Sequence, residues 1–109
     1  MTDQRPIPQV HVEATRYEVS VLPRGHANFN LFVLYVQHRR DGWGITDGAG
    51  WVASVAGHWT LDHYDALTFA ALDDALAMAR KLAPSRRAMG HTATDAYYRT
   101  HPGAAGDDA

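Results

Sequence analysis

Residues 69–84 read FAALDDALAMARKLAP, and this stretch decides the fold. Leu72, Ala75, Leu76, Ala79, Leu82 and Ala83 recur at spacings of three and four, the apolar stripe of an amphipathic helix. Asp73, Asp74, Arg80 and Lys81 fall mostly on the other face. The acids sit in the first turn and the bases in the last, as the helix dipole favours. Alanine and leucine are strong helix formers, and Pro84 cannot continue the helix. The start is less marked: Thr68 is a candidate N-cap two or three residues early. The predicted helix runs from Ala71 to Ala83. Its narrow, alanine-rich stripe lets it lie close to a sheet, but it cannot form a core alone.

The sequence before it supplies that sheet. Tyr17, Val19 and Val21 alternate with Arg16, Glu18 and Ser20, the pattern of a half-buried strand, which Pro23 ends. Residues 24–30 hold Gly25, Asn28 and Asn30 and read as a loop. Leu31 to Arg39 (LFVLYVQHR) is the most strand-like run, apolar on both faces through Val36, which places it centrally. Arg40-Asp41-Gly42 predicts a tight turn and Trp43 to Thr46 a short strand with Trp43 and Ile45 facing one way. Asp47-Gly48-Ala49-Gly50 predicts a second turn, Trp51 to Val55 a strand, Ala56-Gly57 a turn and His58 to Leu61 a strand. Residues 62–66 read as a loop. Beyond Pro84, Arg86 to Met89 reads as a short edge strand, and Thr92 is a candidate cap for a brief helix from Ala93 to Arg99.

The fold class is therefore α+β: an antiparallel meander of four to five short strands, packed by one long helix, with a short C-terminal helix. At 109 residues the chain suits one domain, expected over residues 14–100, between a disordered lead-in (1–13) and a disordered tail (101–109). The absence of cysteine excludes disulfides, thiol catalysis and cysteine zinc sites. No apolar run approaches a membrane span and the first ten residues are too polar for a secretory signal, so a cytoplasmic protein is expected. The formal charge of -2 gives no global field to draw nucleic acid.

RYEVSVLP at residues 16–23, the Trp-Gly-Ile strand after Asp41-Gly42, Gly57-His58-Trp59, LDDALAMARKLAP and the following Gly90-His91-Thr92 together carry a resemblance. Over about residues 15–96 the chain resembles a group of small uncharacterised proteins of actinobacteria, their phages and integrated elements. The resemblance implies an antiparallel sheet with one long helix and implies no activity.

Three functional readings follow from the residues. The first is protein interaction. One long helix covers one sheet face, whereas the central strand is apolar on both, with Leu31, Val33 and Tyr35 on one side and Phe32, Leu34 and Val36 on the other. The uncovered face is expected to meet the C-terminal helix or another chain. Phe32, Leu34 and Val36 with Trp43, Trp51 and Trp59 form the candidate interaction face, and a two-fold homodimer is the first arrangement to consider. The second reading is nucleic-acid binding through two basic patches, Arg39 and Arg40 in one and Arg80, Lys81, Arg86 and Arg87 in the other. Exposed tryptophans would stack bases. Three tryptophans in so small a domain also suit core or interface. The third is a metal-dependent enzyme. His58, Asp62, His63 and Asp65 are the tightest group of ligand-type side chains, although two histidines five apart do not share a helix face. No G-x-S-x-G and no phosphate-binding G-x-x-x-x-G-K-[ST] occurs, and no catalytic residue or cofactor is assigned. The expectation is a small non-enzymatic accessory or regulatory protein acting on a protein partner.

Overall fold

The structure, a computed structural model, describes residues 5–101. Five strands run in chain order across one antiparallel sheet: β1 (Arg16–Val19), β2 (Leu34–Arg39), β3 (Gly42–Thr46), β4 (Trp51–Val52) and β5 (Trp59–Thr60). A single helical turn, α1 (Phe29–Phe32), precedes β2. The long helix α2 (Leu72–Leu82) follows the sheet and runs into a 3-10 turn over Ala83–Ser85. A separate hairpin, β6 (Arg87–Ala88) with β7 (His91–Thr92), leads into α3 (Ala93–Thr100). The α+β class read from the sequence holds, with the long helix and the short C-terminal one. No helix among the described residues is long and apolar enough to cross a membrane. The expected lead-in (1–13) and tail (101–109) lie partly outside the described residues; residues 6–15 carry no helix or strand.

The sheet register fixes two faces, because directly opposed residues in an antiparallel pair point the same way and neighbours alternate. Tyr17, Val36 and Ile45 form one cross-strand row, and Val19 opposes Leu34. These meet α2. Leu34, Val36, Ile45 and Val52 are buried against Ala75, Ala79 and Ala83 of the helix side. Alanine there is a packing choice, since only a small side chain brings a helix axis this near a sheet. Trp43 and Ile45 share the face, as their spacing predicts, and Trp43 borders the cluster beside Tyr17 and His38. The backbone of Phe69 pairs with Trp43 in both directions at 2.8 Å and so anchors the entry to α2. Gly42 permits this: with φ of 142° it has no Cβ, and one would collide with the Phe69 carbonyl.

Four expectations are corrected. β2 begins at Leu34, not Leu31, because Phe29 to Phe32 coils into α1 and buries Phe29 and Phe32. They join Leu22, Val33, Ala93 and Ala96 in a second cluster between α1 and α3. α2 has Ala71 as N-cap, without a side-chain cap, so Thr68 plays no such role. The strands expected at 51–55 and 58–61 are two-residue pairs, since Ser54 and His58 close the connection with a 3.1 Å side-chain hydrogen bond. The edge strand expected at Arg86 to Met89 pairs only with β7, off the main sheet. α3, in contrast, carries the expected cap: Thr92 and Asp95 form a reciprocal capping box. Bonding by the Thr92 backbone N–H, and then by its hydroxyl, holds the Asp95 carboxyl below its ordinary range.

Candidate functional site

The face away from α2 carries the distinctive chemistry. Glu18, Tyr35, Thr46, Trp51 and Thr60 lie in one row across all five strands. Arg16, Gln37 and Gly44 form the next row. Tyr35 packs at one end against the second cluster. Beyond it Gln37, Arg39 and Trp51 stay partly open.

Two guanidinium groups lie over two rings on this face. Arg16 Cζ stands 3.8 Å from the Tyr35 centroid, and Arg39 Cζ stands 4.4 Å from that of Trp51. The second contact exists because Gly44 lacks a side chain. A Cβ at Gly44 would lie 2.8 Å from Arg39 Cδ and 3.0 Å from Trp51 Cζ3. Glycine inside a strand is unfavourable unless something uses the space, and here the arginine and the indole meet over it. Arg39 is fixed at its far end by a 2.7 Å hydrogen bond from Nη2 to the carbonyl of His63, in the 3-10 turn His63–Asp65. Each stack contributes about 0.5–1 kcal/mol where solvent reaches it. Among the described residues neither guanidinium has a carboxylate partner. The acid on the same face, Glu18, is paired with Arg24 at 3.0 Å. The face is thus cationic on a molecule whose net charge is -2.

The candidate interaction face read from the sequence is not one surface. Leu34 and Val36 are wholly buried beneath α2, and Phe32 lies in the second cluster. Trp43 and Trp59 take the α2 side of the sheet, while Trp51 takes the opposite side. The reason is the late start of β2, which removes Phe32 from the strand, and the packing of α2 on the face that carries Leu34 and Val36.

The basic residues also divide. Arg39 and Arg40 border a hollow of about 200 Å³ with His63 and Tyr64. Arg86 and Arg87 line a different one, with Trp59. Arg80 and Lys81 are exposed on α2. Arg86 is committed to Asp47 through a 2.8 Å half-buried ion pair. Asp47 in turn accepts hydrogen bonds from the Ala49 and Gly50 N–H groups.

The His/Asp group does not converge. The His58 ring bonds Ser54, Asp62 accepts from the Tyr64 N–H, and the His63 ring lies tilted against Tyr64 with centroids 4.1 Å apart. All four residues are exposed. Among the described residues no group of three His, Cys, Asp or Glu side chains is placed to hold a metal ion. Arg16, Tyr35 and Gly44 were not singled out by the sequence reading. The signal available for them was a glycine between Trp43 and Ile45 in a strand that otherwise alternates.

Fold and surface together define a small antiparallel α+β domain with a cationic, ring-bearing sheet face. Comparison with protein-family models, curated proteins and solved structures gives no match, and none of the three bears on the resemblance to actinobacterial proteins.

Proposed function

We propose that the protein is a non-enzymatic interaction module that holds an extended, acidic segment of another protein on the open sheet face. The observation that carries this reading is the pair of guanidiniums, Arg16 and Arg39, which lie over Tyr35 and Trp51 and have no carboxylate partner among the described residues. Arginine and large aromatics are the residues that dominate binding energy at protein interfaces. Each stacked guanidinium keeps N–H donors at its edge for a carboxylate, and its plane is already ordered, so little side-chain entropy is lost on binding. A two-fold dimer through this face would bring two copies of the Arg16 and Arg39 charges into one interface. Charge therefore favours a different, acidic chain.

Two features weigh against nucleic acid. Tyr35 and Trp51 carry guanidiniums on their rings, which occupy the surface a base would stack on. Arg39 and Arg40 are also split from Arg86 and Arg87 rather than converging beside one tryptophan. The catalytic reading loses support because the His58 ring bonds Ser54 and the His63 ring lies against Tyr64, with neither ring hydrogen-bonded to Asp62 or Asp65 among the described residues.

An array of random peptides tests the proposal. The wild-type chain should retain peptides rich in Asp and Glu, and added salt should weaken them. Arg39→Ala and Trp51→Ala should each lower affinity by about tenfold or more. Preference for basic or neutral peptides, or tighter retention of oligodeoxythymidine than of any peptide, would overturn it.

A further inference from the structure

A second feature lies on the α2 side of the sheet, away from the open face. Trp59 shares a hollow with Leu82, the last residue of α2, and Arg86, just beyond the 3-10 turn, lies over it with Cζ 5.5 Å from the ring centroid. This pair stands between two hollows. The larger, of about 380 Å³, is bounded by Leu34, Ala56, Trp59, Leu82, Arg86 and Arg87. That volume lies within the range of small-ligand sites. The connection between β4 and β5 forms one wall. Gly57 sits there with φ of 89°, and a Cβ on it would approach Leu82 Cδ2 to 3.2 Å.

The polar groups around this hollow are unevenly satisfied. Arg86 gives one terminal nitrogen to Asp47, yet its Nε is buried and has no hydrogen-bond partner among the described residues. A buried donor on a charged group is costly to leave unmade. Ser85 is already spent on the Leu82 carbonyl. Arg87 gives one nitrogen to the Gly90 carbonyl at 3.2 Å and forms no ion pair among the described residues. Asp95 feels its field, but that carboxylate is held by the α3 cap. The charge count is therefore simple: Arg86 and Asp47 cancel, and Arg87 leaves one positive charge beside an unpartnered N–H and apolar walls.

We infer that this cleft binds a monocarboxylate with an apolar, ring-sized body. The carboxylate would take the Arg87 guanidinium and, after a small side-chain shift that uncovers it, the Arg86 Nε–H. The body would lie among Leu34, Ala56, Leu82 and the Trp59 ring. One uncompensated charge matches a monoanion, and a planar guanidinium edge matches a carboxylate. A phosphate dianion would overshoot that charge and face Asp47 as well. The same chemistry is offered by a free aromatic acid and by the C-terminal residue of a polypeptide.

The test uses the full-length chain, isotopically labelled so that arginine Nε–H and indole N–H signals are read by NMR. Phenylacetate should shift the Arg86 Nε–H and the Trp59 indole signals saturably, whereas the neutral phenylacetamide should not. Arg87→Gln, at an exposed position, should weaken phenylacetate by about tenfold and leave the sheet amides in place. A tripeptide ending in Phe with a free C-terminus, compared with its amidated form, separates the two sources. Tighter binding by the free-ended tripeptide than by phenylacetate assigns the site to polypeptide ends, and the reverse assigns it to small acids. The inference is overturned if phenylacetate gives no saturable shift up to about 10 mM. Equal binding of phenylacetamide, an unchanged affinity in Arg87→Gln, or stronger binding of inorganic phosphate would also overturn it.

Discussion

The two faces of the sheet use the same strands for opposite purposes. On the α2 side the centre is closed to water: Leu34, Val36, Ile45 and Val52 are 0–1% exposed and pack with the alanines of the helix. On the other side, one residue along each strand, Arg16 lies on Tyr35 and Arg39 on Trp51, and glycine occupies the centre. The first face is closed by shape. The second is ordered without being closed, because a stacked guanidinium fixes a ring while leaving charge and donors toward solvent. A surface that is rigid but unsatisfied suits binding, and a surface that is rigid and satisfied suits stability.

Substitutions should separate these roles. Ile45→Ala removes three carbons from beneath α2 and should cost about 2–5 kcal/mol in urea unfolding, with little effect on any ligand affinity once folded. Trp51→Ala is expected to cost less, about 1–2 kcal/mol, because the ring is only half-buried. It should nevertheless lower peptide affinity more than Ile45→Ala does. A loss of stability larger than that of Ile45→Ala would show that Trp51 is a core residue, and the distinction between the faces would fail. Gly44→Ala forces the ends of two flexible side chains apart and should cost about 1 kcal/mol. Its sharper readout is the Arg39 side-chain signals, which should lose the ring-current shift that the Trp51 indole imposes on them. Arg39→Lys should cost about 0.5–1 kcal/mol, since charge is kept while the stack and the bond to the His63 carbonyl are lost. Peptide affinity should fall even so, and an unchanged affinity would mean that charge alone serves.

The covered face was the legible one. α2 announced itself through Leu72, Ala75, Leu76, Ala79 and Leu82, and the observed Leu72–Leu82 differs from the predicted span by one residue at each end. Local spacing suffices when one apolar stripe meets one sheet. The run from Leu31 to Arg39 shows where local spacing stops. It is apolar from Leu31 through Val36, so nothing in it marks the break at Val33; packing of Phe29 and Phe32 against Ala93 and Ala96, some sixty residues away, makes that break. The assignment of Leu34 and Val36 to a free surface failed for the same reason, because which face α2 would choose is a tertiary decision. The open face was hidden for a different cause. Arg39 and Trp51 are neighbours only through the register that sets Gln37 against Gly44 and Thr46 against Trp51. Single-sequence reading gives the strands but not their offset. Gly44, flanked by Trp43 and Ile45, was the one local mark of it.

The most direct test of the account is an NMR titration of the labelled chain with an array-selected acidic peptide. The account predicts that the amides of Gln37, Gly44 and Thr60 and the Trp51 indole signal shift together, while Asp73 to Lys81 on α2 stay still. Shifts confined to α2, or to Trp59 and Arg86, would contradict it.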